Sequence, residues 1–239
     1  PTQMRKLLLY FILFFISPNE IKAQLRPKPQ NLVRYDNKKM HFGFTLGLNS
    51  LDFNIKHNNK VMYQDSLYVL QSNSQKGFNL GIVSNFRMGK YTDFRFVPAL
   101  VFGERRLLYS FADTNNVIST EMKAIEFTLL DFPFYVKYKS ERYNNFRSYV
   151  LFGIKYSLDI ASGDEGLADE DFIVLKLQPH DLTGEIGFGM DFYLEYFKFS
   201  PQIKVSAGIL NLLTKDESIY TTSIKNLYTN GWMLSFTFE

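Results

Sequence analysis

Residues 191–201, Asp-Phe-Tyr-Leu-Glu-Tyr-Phe-Lys-Phe-Ser-Pro, constrain the fold more than any other part of this sequence. They form a tight turn between two stretches in which apolar and polar side chains alternate. The apolar set is Ile186, Phe188, Met190, Phe192 and Leu194 before the turn and Phe197, Phe199, Ile203, Val205 and Ala207 after it. Because successive side chains of a strand point to opposite faces, each stretch is one strand with an apolar face and a polar or glycine face. Alternation over about ten residues, with charges on the minor face, is typical of a membrane-spanning barrel strand.

The same alternation recurs along the chain after residue 40. The predicted strands are 40–50, 77–88, 93–111, 122–139, 146–161, the two strands of the hairpin and 231–239. Their connections alternate in length, with 51–76, 162–179 and 212–230 long, 112–121 medium, and 89–92, 140–145 and the turn at Glu195 short. Outer-membrane barrels have short periplasmic turns and longer outer loops. We therefore predict an all-β fold over residues 40–239, an eight-stranded antiparallel transmembrane up-and-down β-barrel in the outer membrane of the cell.

The chain before the barrel divides into two predicted parts. Residues 1–23 are predicted to be a signal peptide, because Met4-Arg5-Lys6 is followed by an apolar run at 7–16 that is too short to span a bilayer as a helix. The alternative is a membrane anchor that is not cleaved. Residues 24–39 are polar and contain two prolines, which predicts an extended periplasmic lead-in.

Composition excludes several classes of function. The absence of cysteine excludes disulfides, thiolate metal sites and thiol nucleophiles. The net charge of +3 comes without a basic patch interleaved with aromatic residues, so we expect no nucleic-acid partner. No group of His, Asp or Glu has metal-ligand spacing. The Gly-x-Gly at Gly187 and Gly189 lacks the third glycine and the helix of a dinucleotide site, so we expect neither a metal nor a cofactor.

A set of charged residues falls on the inward face of the predicted strands. Its members are Arg87, Arg95, Arg105, Asp131, Lys137, Lys155, Asp159, Glu185, Asp191, Lys198 and Lys204. They could line an ion-selective path or form a neutralised, hydrogen-bonded plug. Both signs of charge are present, and an eight-stranded barrel is just wide enough for side chains to fill it, which favours the plug. The turn at 140–145 brings Asp131 and Lys155 to about the same level, so we predict an ion pair between them.

Three histidines are the candidates for catalysis. His41 lies at the start of the first strand, His57 in the first long loop, and His180 beside Asp181 with Ser162 at the other end of the same loop. A His-Asp-Ser arrangement there could serve a lipid hydrolase. A surface histidine on a loop is the ordinary explanation, and we expect that the protein is not an enzyme and has no catalytic residue.

Several segments resemble the PorT (SprT) family of outer-membrane β-barrels of the type IX secretion and gliding system. The matching segments are 78–85, 94–98, 132–140, 146–157, 191–201, 209–213 and 234–239. The resemblance covers nearly the whole chain after the lead-in, and residues 191–201 are its most specific part. It implies a requirement for export of adhesins and proteases, without catalytic residues. The partners it implies are outer-membrane lipid and other type IX components that the sequence does not identify.

Three functions remain open from the sequence. The first is a secretion component that acts through protein contacts, in which case a filled barrel must act through its loops, its periplasmic rim or its lipid-facing wall. The second is a small general outer-membrane barrel, porin-like or membrane-stabilising. The third is a lipid-modifying barrel enzyme.

An even number of strands places both ends of the barrel chain on the periplasmic side, together with the short turns.

Overall fold

The computed structural model describes residues 29–57, 67–112, 118–161, 177–214 and 224–239. Contacts divide the chain into two units, Pro1–Gln30 and Asn31–Glu239, and the second unit contains the barrel. The predicted signal peptide at 1–23 lies outside the described residues, as does Ser162. Among the described residues, no helix has the length and apolar character needed to cross a membrane.

The described residues form nine β-strands and one turn of 3₁₀-helix at Tyr35–Asn37. The strands are β1 (Met40–His57), β2 (Leu67–Arg87), β3 (Thr92–Phe96), β4 (Ala99–Ala112), β5 (Ile118–Lys139), β6 (Phe146–Asp159), β7 (His180–Tyr193), β8 (Lys198–Gly208) and β9 (Ile224–Phe238). Each strand pairs antiparallel with its neighbours, and pairing of β1 with both β9 and β2 closes the sheet into a ring. The prediction of an antiparallel up-and-down barrel is confirmed.

One strand position differs from the prediction, because the expected third strand is divided into β3 and β4 at Pro98. Proline has no N–H to donate to a neighbouring strand, so the ladder is interrupted there. The Pro98 carbonyl still accepts the Ile82 N–H at 2.9 Å, and the Val97 N–H reaches the Pro133 carbonyl at 3.3 Å. Both pieces lie between β2 and β5, so the nine strands occupy eight positions around the ring.

Several strands are longer than predicted, because the polarity of their two faces reverses part of the way along. In the first half of β1, Phe42 and Leu48 point outward and Asn49 is buried inside. Beyond this point Leu51 and Phe53 are the buried residues, whereas Asn54 is exposed on the outer face. The expected strand at 40–50 was too short because its pattern was followed only while the outer face stayed apolar.

The same reversal occurs in β5 and at a similar height. Phe134 is exposed on the outer face and Asp131 is buried inside, but further along Phe127 and Leu129 are buried inside and Glu126 is exposed. An outer face contacts lipid only where it is apolar, so the reversal marks the edge of the membrane band on this side of the barrel. The barrel wall therefore continues beyond the membrane, with an apolar interior and a polar exterior as in a water-soluble sheet.

Beyond the membrane edge the wall opens between β1 and β2. Their pairing ends at Leu51 with Gln75, although β1 continues beside β9 and β2 continues beside β4. The register of β2 against β4 shifts between Ser74 and Phe78, and a bulge of this kind bends a strand away from its neighbour. Ser72 Oγ donates a hydrogen bond to the Asp52 carboxylate across the opening, which borders a groove of about 400 Å³.

The described part of the lead-in at 31–38 is not extended, in contrast to the prediction for residues 24–39. This part folds back on itself, with the Tyr35 N–H donating to the Leu32 carbonyl at 3.0 Å and the Lys38 N–H to the Tyr35 carbonyl at 3.1 Å. Leu32 adopts φ 50°, a left-handed conformation that is unfavourable for a non-glycine residue. We call the end of the barrel that carries the lead-in and the short turns 88–91, 140–145 and 194–197 the short-turn end. The other is the long-loop end.

Gly153 in β6 provides a test of how closely the strands pack. A Cβ atom at this position would lie 2.0 Å from the Phe134 carbonyl oxygen, a backbone atom that cannot move aside. At Gly184 in the neighbouring strand β7, the nearest atom to such a Cβ lies 3.9 Å away. We expect Gly153→Ala to destabilise the folded barrel by about 1–3 kcal/mol, the usual cost of overpacking, and Gly184→Ala to be tolerated. Urea unfolding followed by heat-modifiable gel mobility measures both variants, and equal stabilities would contradict close strand packing at Gly153.

Candidate functional site

The eleven charged residues predicted to point inward all lie on the inner side of the barrel wall. Nine are buried, namely Arg95, Arg105, Asp131, Lys137, Lys155, Glu185, Asp191, Lys198 and Lys204. Arg87 and Asp159 are half-buried at the short-turn end and the long-loop end, respectively. Within the described part of the chain, all of the buried residues except Arg105 form ion pairs, and these pairs lie at several levels along the barrel.

The middle level is centred on Lys155 of β6. Its Nζ lies 3.2 Å from Asp131 Oδ2 and 3.0 Å from Glu185 Oε1, so one ammonium group joins β5, β6 and β7. The ion pair between Asp131 and Lys155 was predicted and is present. The two residues are diagonal neighbours, however, because Lys155 lies directly opposite Pro133 in the register of the two strands.

The second carboxylate oxygen of Glu185 extends this level across the barrel. It accepts a hydrogen bond from the Tyr135 hydroxyl, which in turn accepts one from Lys204 Nζ at 2.9 Å. Lys204 Nζ also lies 3.8 Å from Glu185 Oε2. Four strands therefore contribute to one network in which charges of both signs alternate, as a neutralised plug requires.

The next level toward the short-turn end is centred on Asp191 of β7. Lys137 Nζ donates to both of its carboxylate oxygens, at 2.8 and 3.0 Å, and Ser200 Oγ donates at 2.6 Å. The same ammonium group lies 3.7 Å from the centre of the Tyr149 ring, a cation–π contact. All four side chains are buried, so their hydrogen bonds replace those that water would otherwise provide.

Glu239 is a buried partner that the sequence analysis did not identify. Its carboxylate lies 2.5 Å from Arg95 Nη2 and 2.6 Å from Lys198 Nζ. Arg95 is held in turn by Nε donating to Asn85 Oδ1 at 3.1 Å. The inward position of Glu239 could have been predicted from the alternation, since Phe238 points outward and the residue after it must point inward. Asp93 and Lys139, which pair at 2.6 Å on the same side of the barrel, were also missed.

The lead-in docks onto this end of the barrel through Asp36. The two guanidinium nitrogens of Arg147 lie 3.1 and 3.2 Å from its two carboxylate oxygens, and the Tyr193 hydroxyl donates to Oδ1 at 3.0 Å. A second guanidinium group, from Arg142 in the turn between β5 and β6, lies 3.5 Å from Oδ2. The inward position of Arg147 in β6 could have been read from its alternation, but nothing in the sequence indicates the partner from the lead-in.

Tyr35 fills the mouth of the barrel beside Asp36. Its hydroxyl donates to Glu239 Oε2 at 2.9 Å, and its ring stacks on the His41 ring with centroids 4.0 Å apart. His41 Nε2 donates to the Tyr35 carbonyl at 2.7 Å, and Lys198 Nζ lies 4.7 Å from the centre of the Tyr35 ring. His41 is therefore a packing partner of the lead-in.

The long-loop end is closed by apolar side chains in place of ion pairs. Leu51, Val101, Phe127 and Leu129 form a buried cluster inside the wall. The Arg105 guanidinium lies between two aromatic rings, 4.4 Å from the centre of Phe53 and 4.7 Å from that of Phe127. A cavity of about 30 Å³ beside Arg105 is also lined by Asp159 and Asp181, a volume on the order of what one or two water molecules need.

Two alternatives from the sequence can be compared with this geometry. Eight of the nine buried charges in the predicted set pair with the opposite charge, which favours a plug over an ion-selective path. His180 points outward, where its Nδ1 lies 2.7 Å from the Tyr156 hydroxyl, whereas the adjacent Asp181 is buried on the inner face. These two side chains do not form a catalytic pair. Within the described ranges, no three His, Asp or Glu side chains are grouped so as to hold a metal ion.

Lys155 provides a test of the plug. Substitution with Ala would leave Asp131 and Glu185 buried without their shared cation, and breaking a buried ion pair from one side costs about 3–5 kcal/mol. We expect a large decrease in the free energy of unfolding, measured in urea. The matched control is Lys90→Ala, which removes a solvent-exposed ion pair with Glu141. A loss no larger than that of the control would show that the interior is hydrated.

Asp36 provides a test of lead-in docking through pH. Burial raises the pKa of Asp36, but Arg147, the Tyr193 hydroxyl and Arg142 outweigh it and hold the pKa below its ordinary value. A lowered pKa means that docking is fully stabilised above the ordinary aspartate pKa of about 3.9 and is lost as the pH falls through the lower, docked value. We expect the lead-in to stay docked from about pH 5 to pH 8 and to be released under more acidic conditions.

Spin labels on Val33→Cys and Tyr143→Cys measure this release as a broadened distance distribution, because both side chains are exposed and the chain has no other cysteine. Asp36→Asn is the control and should remove the pH dependence. A transition centred near neutral pH would contradict the assignment to Asp36.

Comparisons with known proteins identify the family. Residues 22–214 match the outer membrane protein beta-barrel domain family. Among curated proteins, no sequence matches the chain.

Solved structures similar to the chain include Neisserial surface protein A at 12% identity, with 84% of this chain and 98% of that chain covered and a TM-score of 0.41. OprG from Pseudomonas aeruginosa has 14% identity, coverages of 84% and 95%, and a TM-score of 0.40. Ail of Yersinia pestis, in complex with a heparin analogue, has 11% identity, coverages of 84% and 99%, and a TM-score of 0.36. The family match spans most of the sequence, and the chain belongs to the outer-membrane β-barrel domain family.

Proposed function

We propose that this barrel is a non-enzymatic component required for type IX protein secretion, in which it supports export of surface adhesins and proteases and gliding through protein–protein contacts. The observation that carries the proposal is the filled interior. The resemblance of residues 191–201 and the other segments to the PorT family supplies the pathway.

The interior limits how such a component can act. Ion pairs at Lys155 and Asp191 and an apolar cluster around Phe127 occupy successive levels of the barrel. An eight-stranded barrel is filled by its own side chains, so neither folded nor unfolded cargo passes through it. The contacts that matter for export therefore lie at the two ends or on the lipid-facing wall.

The alternative is a small general outer-membrane barrel. A porin-like role conflicts with the filled interior, so the form of this alternative that remains is a membrane-stabilising barrel. A lipid-modifying enzyme has the least support, because His180 and Asp181 lie on opposite faces of the wall.

A clean deletion tests the secretion role. We expect type IX cargo to disappear from the cell surface and accumulate in the periplasm, while uptake of small solutes is unchanged. Complementation with Lys204→Ala should restore export to the extent that the barrel folds, since this buried charge contributes to packing alone. Normal export in the deletion strain, accompanied by altered solute uptake, would contradict the secretion role and favour the porin-like alternative.

A further inference from the structure

We propose that the short-turn end carries a carboxylate-binding site that the chain's own lead-in occupies in this structure, and that an acidic peptide segment of a partner protein takes when the lead-in is released. The identity of the occupant as a partner protein rests on the proposed function. The site itself rests on geometry alone.

The site is built by the barrel and not by the lead-in. The Arg142 guanidinium stacks 3.6 Å from the centre of the Tyr193 ring, its Nε donates to the Asn144 carbonyl at 2.7 Å, and Nη2 donates to Asn145 Oδ1 at 3.1 Å. Arg147 projects from β6 toward the same ring, with its guanidinium 5.8 Å from the ring centre. The Arg142 guanidinium is thus oriented by its own turn and by the Tyr193 ring, which is the preorganisation that tight binding of a ligand requires.

The two arginines lack another carboxylate partner in the described part of the chain, where their ion pairs both go to Asp36. Release of the lead-in would leave two adjacent guanidinium groups without an anion. Guanidinium groups match the planar fork of a carboxylate and bind it through paired hydrogen bonds. The vacated site therefore selects a carboxylate from any segment that reaches it.

The lead-in binds in the manner of a peptide ligand. Among the described residues, 31–38 form no backbone-to-backbone hydrogen bond with the barrel. Barrel side chains hold their backbone instead, with Arg142 Nη2 donating to the Asn31 carbonyl and His41 Nε2 donating to the Tyr35 carbonyl at 2.7 Å. No residue of the 3₁₀-helix is buried, and Val33 is 63% exposed. The remaining anchors are polar, such as the Asn31 N–H donating to Asn145 Oδ1 at 2.9 Å. A contact of this kind, without strand pairing or an apolar core, can be exchanged for an equivalent one.

Closure of the barrel does not depend on the lead-in. When Tyr35 leaves, Glu239 keeps its ion pairs with Arg95 and Lys198. The pair between Lys137 and Asp191 lies below them and is unchanged. Docking and release therefore alter the surface of the short-turn end and leave the interior filled.

The lead-in also indicates which chemical groups a partner segment needs in order to take its place. Asp36 supplies the carboxylate, and the preceding Tyr35 supplies an aromatic ring that stacks on His41. An aromatic residue followed by Asp or Glu reproduces both contacts. We infer that the partner presents such a pair within an extended or singly turned segment.

The experiment uses the full chain and a synthetic peptide of residues 31–39 from this protein as the probe. The double variant Tyr35→Ala, Asp36→Asn removes the Tyr35 and Asp36 side-chain anchors, and spin labels at positions 33 and 143 report whether its lead-in is released. Fluorescence anisotropy of the labelled peptide measures binding, and heat-modifiable gel mobility verifies that each barrel is folded.

We expect the peptide to bind the double variant at least about tenfold more tightly than the wild-type chain, in which the tethered lead-in competes. A peptide with Asn in place of Asp36, or addition of Arg147→Ala to the double variant, should remove this gain. Three outcomes would each overturn the proposal. The lead-in of the double variant stays docked, the peptide shows no saturable binding, or the Asn peptide binds as tightly as the peptide with Asp36. Equal competition by inorganic phosphate would also overturn it, because the site would then select any anion. Since no step measures secretion, failure here is distinguishable from failure of the proposed function.

Discussion

Pairing of buried charges is the constraint on which the rest of this structure depends. The outer face of the wall is apolar where it contacts lipid, so polar and charged residues accumulate on the inner face, in a space too narrow to hydrate them. An unpaired charge there would cost several kcal/mol, so the levels of Lys155, Asp191 and Glu239 each contain both signs within hydrogen-bonding distance. Lys155 between Asp131 and Glu185, and Glu239 between Arg95 and Lys198, are two solutions of the same problem.

The reversal of polarity along the strands follows from the same constraint. Once β1 passes the membrane edge near Leu51, its outer face meets water, and the reason for placing polar residues inside disappears. The interior then gains buried apolar side chains such as Phe127 and Leu129, as in a soluble protein, although Arg105 and Asp181 are also buried there. The bulge in β2 falls at the same height, where loss of pairing with β1 no longer exposes backbone groups to lipid.

Much of the fold could be predicted from alternation alone, because a period of two assigns each strand residue to a face without knowledge of its neighbours. That rule placed Asp131 and Lys155 inside, and the turn at 140–145 placed them near one another. Alternation predicted too short a β1, because a strand that reverses the polarity of its two faces no longer has the apolar outer face expected of a membrane-spanning strand. Docking of Asp36 was not predictable, since its partner Arg147 is 111 residues away and the contact exists only after the ring has closed.

The two ends of the barrel are closed by different interactions, and this has a consequence for function. The short-turn end is sealed by ion pairs around Glu239 and covered by a polar, exchangeable lead-in, whereas the long-loop end is sealed by apolar packing around Phe127. The level of Lys155 lies between them and joins three strands rigidly. Exchange of the lead-in therefore requires no movement at the long-loop end, and opening of the wall between β1 and β2 requires none at the short-turn end. A barrel arranged in this way can present two independent contact surfaces, one on each side of the membrane, while its interior stays closed.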